Sequence, residues 1–236
     1  RDERSKRLLR GGLTITTTLD MSKQAAADAA VQEYVPTGDP SNVKAALSSV
    51  EPGTGRIVAM SQNTNYGLAT EEDSSTTQIS FSADASHGGL ENTDGTSGFQ
   101  PGSTFKAFVL AEWYQEGHSG YETMNTSPAT FGPSSWRISC DPSKADTWTV
   151  GNANASEGGT HNVIQNTAMS INVGFARMTQ QMDICDITRM AANLGVTTNS
   201  GQALTPTPSI ALGSQEVTPL QMASAYATFA AHGVYC

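Results

Sequence analysis

The sequence predicts a mixed α/β (α+β) fold, and three features carry that reading. A strand hairpin stands early in the chain, helices with apolar stripes dominate after about residue 103, and residues suited to helix caps stand at several helix starts. Long stretches of Ser, Thr, Asn, Asp and Gly separate these pieces.

Leu13 to Leu19 (LTITTTL) is β-branched and alternating, the pattern of a strand. Asp20 follows as an N-cap for a helix through the Ala-rich stretch to about Tyr34, and Asp39-Pro40 closes that unit. Ala45 to Val50 and Arg56 to Ser61 are two short strands joined by Glu51-Pro-Gly-Thr-Gly55, a hairpin signal. Residues 62–98 hold few apolar anchors and read as a long surface excursion. A helix starts after Gly102, with a stripe of Phe105, Phe108, Val109 and Trp113 running to Gly117. A second polar region covers residues 118–160. Three helices follow at Val163 to Gln180, Ile184 to Leu194 and Pro219 to Ala231, the last capped by Thr218. Residues 1–44 are taken as a strand and helix leading into a domain at 45–236, whose helical part begins near residue 103.

Composition narrows the function. With 37% hydrophobic and 15% charged residues the chain is a globular, Ser/Thr/Gly-rich protein. Net charge is −9, but five of the 13 basic residues stand in the first ten positions. The rest carries 8 basic against 20 acidic residues, a net of −12, which repels phosphate backbones and excludes nucleic acid as a partner. The basic start suits either an anionic membrane surface or a solvated tail. Cys140, Cys185 and Cys236 form no CxxC pair, which argues against a zinc site or redox dithiol. One disulfide with a leftover thiol and three free thiols both remain open. No residue pattern calls for a cofactor or a metal.

The sharpest chemical signal is Gln100-Pro-Gly-Ser-Thr-Phe-Lys106, where Ser103 and Lys106 are three apart at a helix start and so share a face. A serine hydroxyl becomes a nucleophile when a neutral amine takes its proton. Lysine at its usual pKa is neutral in only ~1 of 2,500 molecules at pH 7. Burial and a nearby positive charge or dipole are therefore expected to lower the pKa of Lys106. The Ser-x-x-Lys spacing recurs at Ser41-Asn-Val-Lys44 without a preceding Gly. A Ser-x-Asn partner occurs at Ser170-Ile-Asn172, after Ser103, and again at Ser61-Gln-Asn63, before it. No G-x-S-x-G elbow surrounds any serine, which disfavours a Ser-His-Asp hydrolase.

GGLTITTTLD (Gly11 to Asp20), ALSSVEPGTGRIVAM (Ala46 to Met60), FQPGSTFKAFVLAEWYQEG (Phe99 to Gly117) and ALGSQEVTPLQMASAYATFAAHG (Ala211 to Gly233) together resemble the bifunctional, class A branch of penicillin-binding proteins, in that family's order. The resemblance implies the penicillin-binding-protein/serine β-lactamase-like fold, an antiparallel sheet flanked by helices plus an all-helical subdomain. It implies a D,D-transpeptidase that cross-links peptidoglycan stem peptides and is acylated by β-lactams. Ser103 would be the acylated nucleophile, Lys106 its base, Ser170 a proton relay to the leaving amine, and Asn172 a holder of the substrate amide and Lys106. Trp148-Thr-Val-Gly-Asn152 is similar to the family's aromatic-x-Pro-x-Asn segment, with Val150 in place of the proline. It makes Trp148 and Asn152 candidate substrate-binding residues, although a buried Trp is the commoner case.

The family's third motif, Lys-Thr-Gly, is absent, and His118-Ser-Gly120 is a near match in the wrong place. The resemblance therefore implies a further C-terminal segment bearing Lys-Thr-Gly that completes the sheet and the site. It also implies an N-terminal membrane anchor, and a location on the extracytoplasmic face of the bacterial membrane. A serine β-lactamase and a non-catalytic β-lactam sensor of the same fold are the alternatives.

Overall fold

The computed structural model describes residues 2–68, 70, 75–93 and 95–235; Arg1 and Cys236 lie outside them. The chain opens on helix α1, Asp2–Leu9, whose described side chains are exposed. Helix α2, Met21–Tyr34, begins where expected, with the Asp20 carboxylate accepting from the backbone N–H groups of Ser22 and Lys23. The expected strand over Leu13 to Leu19 does not form. A strand needs a partner ladder, and only the end of this segment reaches one. The Asp20 N–H donates to the Val58 carbonyl at 2.9 Å and the Thr18 hydroxyl to that of Ile57 at 2.7 Å, while Ile15 stays 70% exposed.

The hairpin forms as predicted. Strands β1 (Ala46–Val50) and β2 (Ile57–Gln62) pair antiparallel, with a bulge at Ser49/Val50. Helix α2 packs on β2, where the Gln24 amide donates to the Met60 carbonyl at 2.7 Å and accepts from its N–H at 2.9 Å. That side chain occupies a place a neighbouring strand would fill. Within the polar excursion, β3 (Asn65–Tyr66) and β4 (Thr76–Thr77) make one short parallel pair.

The core is built around helix α3, Lys106–Gln115, preceded by a 3-10 turn at Gly102–Phe105. Its predicted stripe of Phe105, Phe108, Val109 and Trp113 is fully buried. It packs against α5 (Asn172–Thr179) and α6 (Ile184–Asn193), which bury Val173, Phe175, Met178, Ile184 and Ile187. Each such side chain contributes about 1.5–3 kcal/mol of transfer free energy. The region 118–160 holds strands too short for periodicity to announce. Strand β5 (Thr123–Asn125) pairs with β8 (Thr160–Asn162), and β6 (Ala129–Phe131) with β7 (Trp148–Val150).

The helix expected over Val163 to Gln180 is two helices, α4 (Val163–Ala168) and α5, broken at Ser170-Ile171. Ser170 sits at φ +54°, in the left-handed region that breaks an α-helix. Helix α7, Pro219–Ala230, carries the expected Thr218 cap, completed by Gln221 as a capping box, and packs on β1. Cys140 and Cys185 form a disulfide that fixes the start of α6, which resolves the open cysteine question in favour of a pair. Among the described residues, no helix is long and apolar enough to cross a membrane.

Candidate active site

Pro101 and Gly102 turn the chain into the 3-10 turn, with Gly102 at φ +57°. The Lys106 N–H closes the turn onto the Ser103 carbonyl. In this tighter winding, side chains at i and i+3 eclipse, so Ser103 and Lys106 share one face more closely than on an α-helix. Phe105 between them is fully buried and meets Phe108 edge-on at 4.9 Å, which pins the turn to the core. Ser103 is thereby left exposed and Lys106 buried at 5% exposure.

The break between α4 and α5 turns the second motif toward that lysine. Lys106 Nζ donates to the Ser170 carbonyl at 2.7 Å, to Ser170 Oγ at 3.0 Å and to Asn172 Oδ1 at 2.7 Å. Asn172 Nδ2 donates to the Gly151 carbonyl at 3.2 Å, which keeps its amide oxygen facing Lys106. Burial pushes the Lys106 amine down to about 8, while the carboxylate of Glu157 opposes the shift. The expected positive neighbour is thus replaced by a negative one, and desolvation does the lowering. The other motif matches are built differently. Ser41 bonds Asp39 and Lys44 bonds Asn42, each a partner two residues away in sequence, and Asn63 ties the backbone of Val43 and Ala45. Ser86 and Asp84 both meet His87 at Nδ1, so the ring cannot relay a proton between them.

A buried lysine of lowered pKa that faces a serine and an amide, on the same face as an exposed serine, is equipped for proton transfer in acyl chemistry. Comparison with known proteins decides the family. Residues 46–236 match the model of the penicillin binding protein transpeptidase domain. The chain belongs to that transpeptidase family.

Among relatives of this transpeptidase domain, penicillin-binding protein 1A of Mycolicibacterium smegmatis is 29% identical over 95% of the chain, and that of Mycobacterium tuberculosis 28% identical over 95%. The chain spans about a quarter of the length of those relatives, 25% and 24%. The solved structure of PonA1 from Mycobacterium tuberculosis in complex with penicillin V matches with a TM-score of 0.70 at 25% identity, covering 98% of this chain and 55% of that one. Penicillin-binding protein A from the same organism, solved as a penicillin G acyl-enzyme complex, shares the fold with a TM-score of 0.62 at 21% identity over 93% of this chain and 52% of that one.

Within the transpeptidase domain the remaining candidates separate. Asn152 has both amide ends engaged, Oδ1 accepting from the Val173 N–H at 3.0 Å and Nδ2 donating to the Thr126 carbonyl at 2.8 Å. Through the Val173 N–H it holds the first turn of α5, where Asn172 stands. Trp148 is half-buried, tilted against Trp136 with ring centroids 5.9 Å apart. It lines a cavity of about 530 Å³ with Lys144, Thr207 and Ser209, a cavity whose lining does not include the two Ser motifs.

Sequence reasoning missed the clamp around the residues before Ser103. Phe99 and Val217 exchange both backbone hydrogen bonds at 2.9 Å, and the Gly102 N–H donates to the Gly213 carbonyl at 3.3 Å. A Cβ on Gly213 would stand 2.3 Å from the Gly102 carbonyl oxygen. Both segments were legible in the family resemblance, but no periodicity links positions over 100 residues apart.

Proposed function

We propose that this domain is a serine D,D-transpeptidase that cross-links peptidoglycan stem peptides through an acyl-enzyme on Ser103, and that β-lactams acylate the same oxygen. The observation that carries this reading is the buried Lys106 amine, lowered to about 8 and hydrogen-bonded to Ser170 and Asn172. With three acceptors the ammonium form is saturated. Loss of one proton leaves a lone pair that can receive the proton of Ser103. At a pKa near 8 about one amine in ten is neutral at pH 7, against ~1 in 2,500 unperturbed.

In the proposed cycle, Ser103 Oγ bonds to the carbonyl carbon of the penultimate D-Ala as its proton passes to Lys106. The carbon–nitrogen bond then breaks, Ser170 Oγ delivers a proton to the departing D-Ala amine, and Lys106 restores the proton of Ser170. An amine of a second stem peptide attacks the ester along the reverse path. Asn172 holds the donor peptide amide. The solved relatives named above, one holding penicillin V and one acylated by penicillin G, support β-lactams as ligands. The disulfide fits an oxidising compartment and so the extracytoplasmic face of the bacterial membrane. A segment bearing Lys-Thr-Gly belongs to the same proposal for the whole protein.

The test is turnover of a D-Ala-D-Ala donor peptide with and without an acceptor amine, using the whole protein. A transpeptidase joins acceptor to donor with release of D-Ala. Rapid β-lactam hydrolysis without that product would mark a β-lactamase, and stable acylation with no peptide turnover a sensor.

A further inference from the structure

Asn166 stands in α4, four residues before Ser170. It is fully buried, and neither end of its side-chain amide finds a hydrogen-bond partner among the described residues. A buried amide left unpaired costs stability, because both ends give up water without a replacement. Such a group in a folded protein calls for a reason other than stability. Its surroundings supply one. The amide lies against Gly174, the third residue of α5, where an added Cβ would stand 2.4 Å from Asn166 Cγ, 2.5 Å from Oδ1 and 2.8 Å from Nδ2.

Asn166 therefore grips both sides of the break between α4 and α5. Its backbone carbonyl accepts from the Ile171 N–H at 2.9 Å, and its side chain fills the space that Gly174 leaves. The chain between these two contacts carries Ser170 and Asn172, the acceptors of the Lys106 ammonium. The first turn of α5 has little freedom elsewhere. Val173 and Phe175, on either side of Gly174, are no more than 1% exposed, and Asn152 holds the Val173 N–H. Close-packed surroundings pass a displacement on rather than absorb it, so a change in the spacing of Asn166 and Gly174 reaches the bonds on Lys106.

We infer that Asn166 is a positioning residue for acylation, a role that rests on Lys106 being the base: by filling the gap at Gly174 it sets where Ser170 and Asn172 stand on Lys106. Asn166 acts through α5 and not on the substrate. The glycine at 174 serves the close approach alone, since its φ is not positive and a helix interior otherwise favours Ala over Gly.

The experiment measures acylation of the whole protein by penicillin V across pH, beside thermal unfolding, for wild type, Gly174→Ala, Asn166→Ala and the double variant. Gly174→Ala drives a Cβ into the amide, so the plateau rate should fall about 10²-fold, as for a displacement of about 1 Å. The unfolding midpoint should fall with it, despite the better helix preference of Ala. Weaker bonds to Ser170 and Asn172 favour the ammonium less, so the rising limb should move to lower pH. Loss of folded protein by itself would lower the rate without moving the limb. Asn166→Ala, which leaves the gap unfilled, should slow the plateau about tenfold. In the double variant the new Cβ takes the place of the lost amide, and rate, limb and midpoint should return toward wild type. Should Gly174→Ala fail to fold, Asn166→Ala and the double variant carry the same test. With wild type acylated, an unchanged rate in Gly174→Ala or Asn166→Ala, or a double variant no better than Gly174→Ala, overturns the role of Asn166 alone. A wild type that penicillin V does not acylate overturns Lys106 as the base and this role with it.

Discussion

Lys106 Nζ lies 2.7 Å from Asn172 Oδ1, a residue 66 positions later in the chain, and this bond joins the two short motifs into one group. With Ser170 it accounts for all three ammonium protons. Lys106→Ala should therefore slow penicillin acylation by about 10²–10⁴ while unfolding stays cooperative, because the base is lost and the apolar stripe of α3 is kept. Stopped-flow acylation beside thermal unfolding checks both; a near wild-type rate would remove Lys106 from the role of base.

Because Lys106 must be neutral to accept a proton, acylation should rise with pH through about 8 and level off above it. Glu157, buried at 6% exposure, favours the charged amine. Glu157→Gln removes that opposition, so the folded amine loses its proton at lower pH and the rising limb should move to lower pH. A limb that stays put, or moves up, would contradict the electrostatic assignment.

Ser170 combines a left-handed backbone with a hydroxyl on Lys106. Ser170→Gly should relieve about 1 kcal/mol of backbone strain, partly offset by the added freedom of the unfolded chain, yet lose acyl-transfer rate. Ser170→Ala should lose rate without that relief. Paired denaturation and turnover measurements on the two variants separate strain from chemistry; equal stability loss in both would argue against the strained geometry.

Gly213, at φ +69° with the Gly102 carbonyl where its Cβ would be, sets the approach to Ser103. Gly213→Ala should cost about 1–2 kcal/mol from backbone conformation alone and, by displacing the Ser103 turn, about 10² in acylation rate. Retention of wild-type acylation would show that the turn tolerates the shift.

Elements whose cause is local were legible in the sequence. The Glu51–Gly55 turn, the Asp20 and Thr218 caps and the α3 stripe each depend on neighbours within a few residues, and the Ser103–Lys106 turn is set by Pro101 and Gly102. What escaped depends on partners far away. Leu13 to Leu19 has strand composition but finds β2 only at its end, and the helix break at Ser170 contains neither Gly nor Pro. The Cys140–Cys185 pairing, the Asn152 bonds to Val173 and Thr126, and the clamp of Gly102 by Gly213 are likewise contacts that only the folded chain brings together. For Lys106 the lowered pKa was expected, but its cause reversed in part, because the charge nearest in effect is the carboxylate of Glu157.

The most direct test of the central claim is intact-mass analysis after exposure to penicillin, with peptide mapping of the adduct, on wild type, Ser103→Ala and Ser41→Ala. The account predicts one penicilloyl adduct on the peptide containing Ser103, lost in Ser103→Ala and unchanged in Ser41→Ala. An adduct that survives Ser103→Ala, or that maps to any other serine, would contradict it.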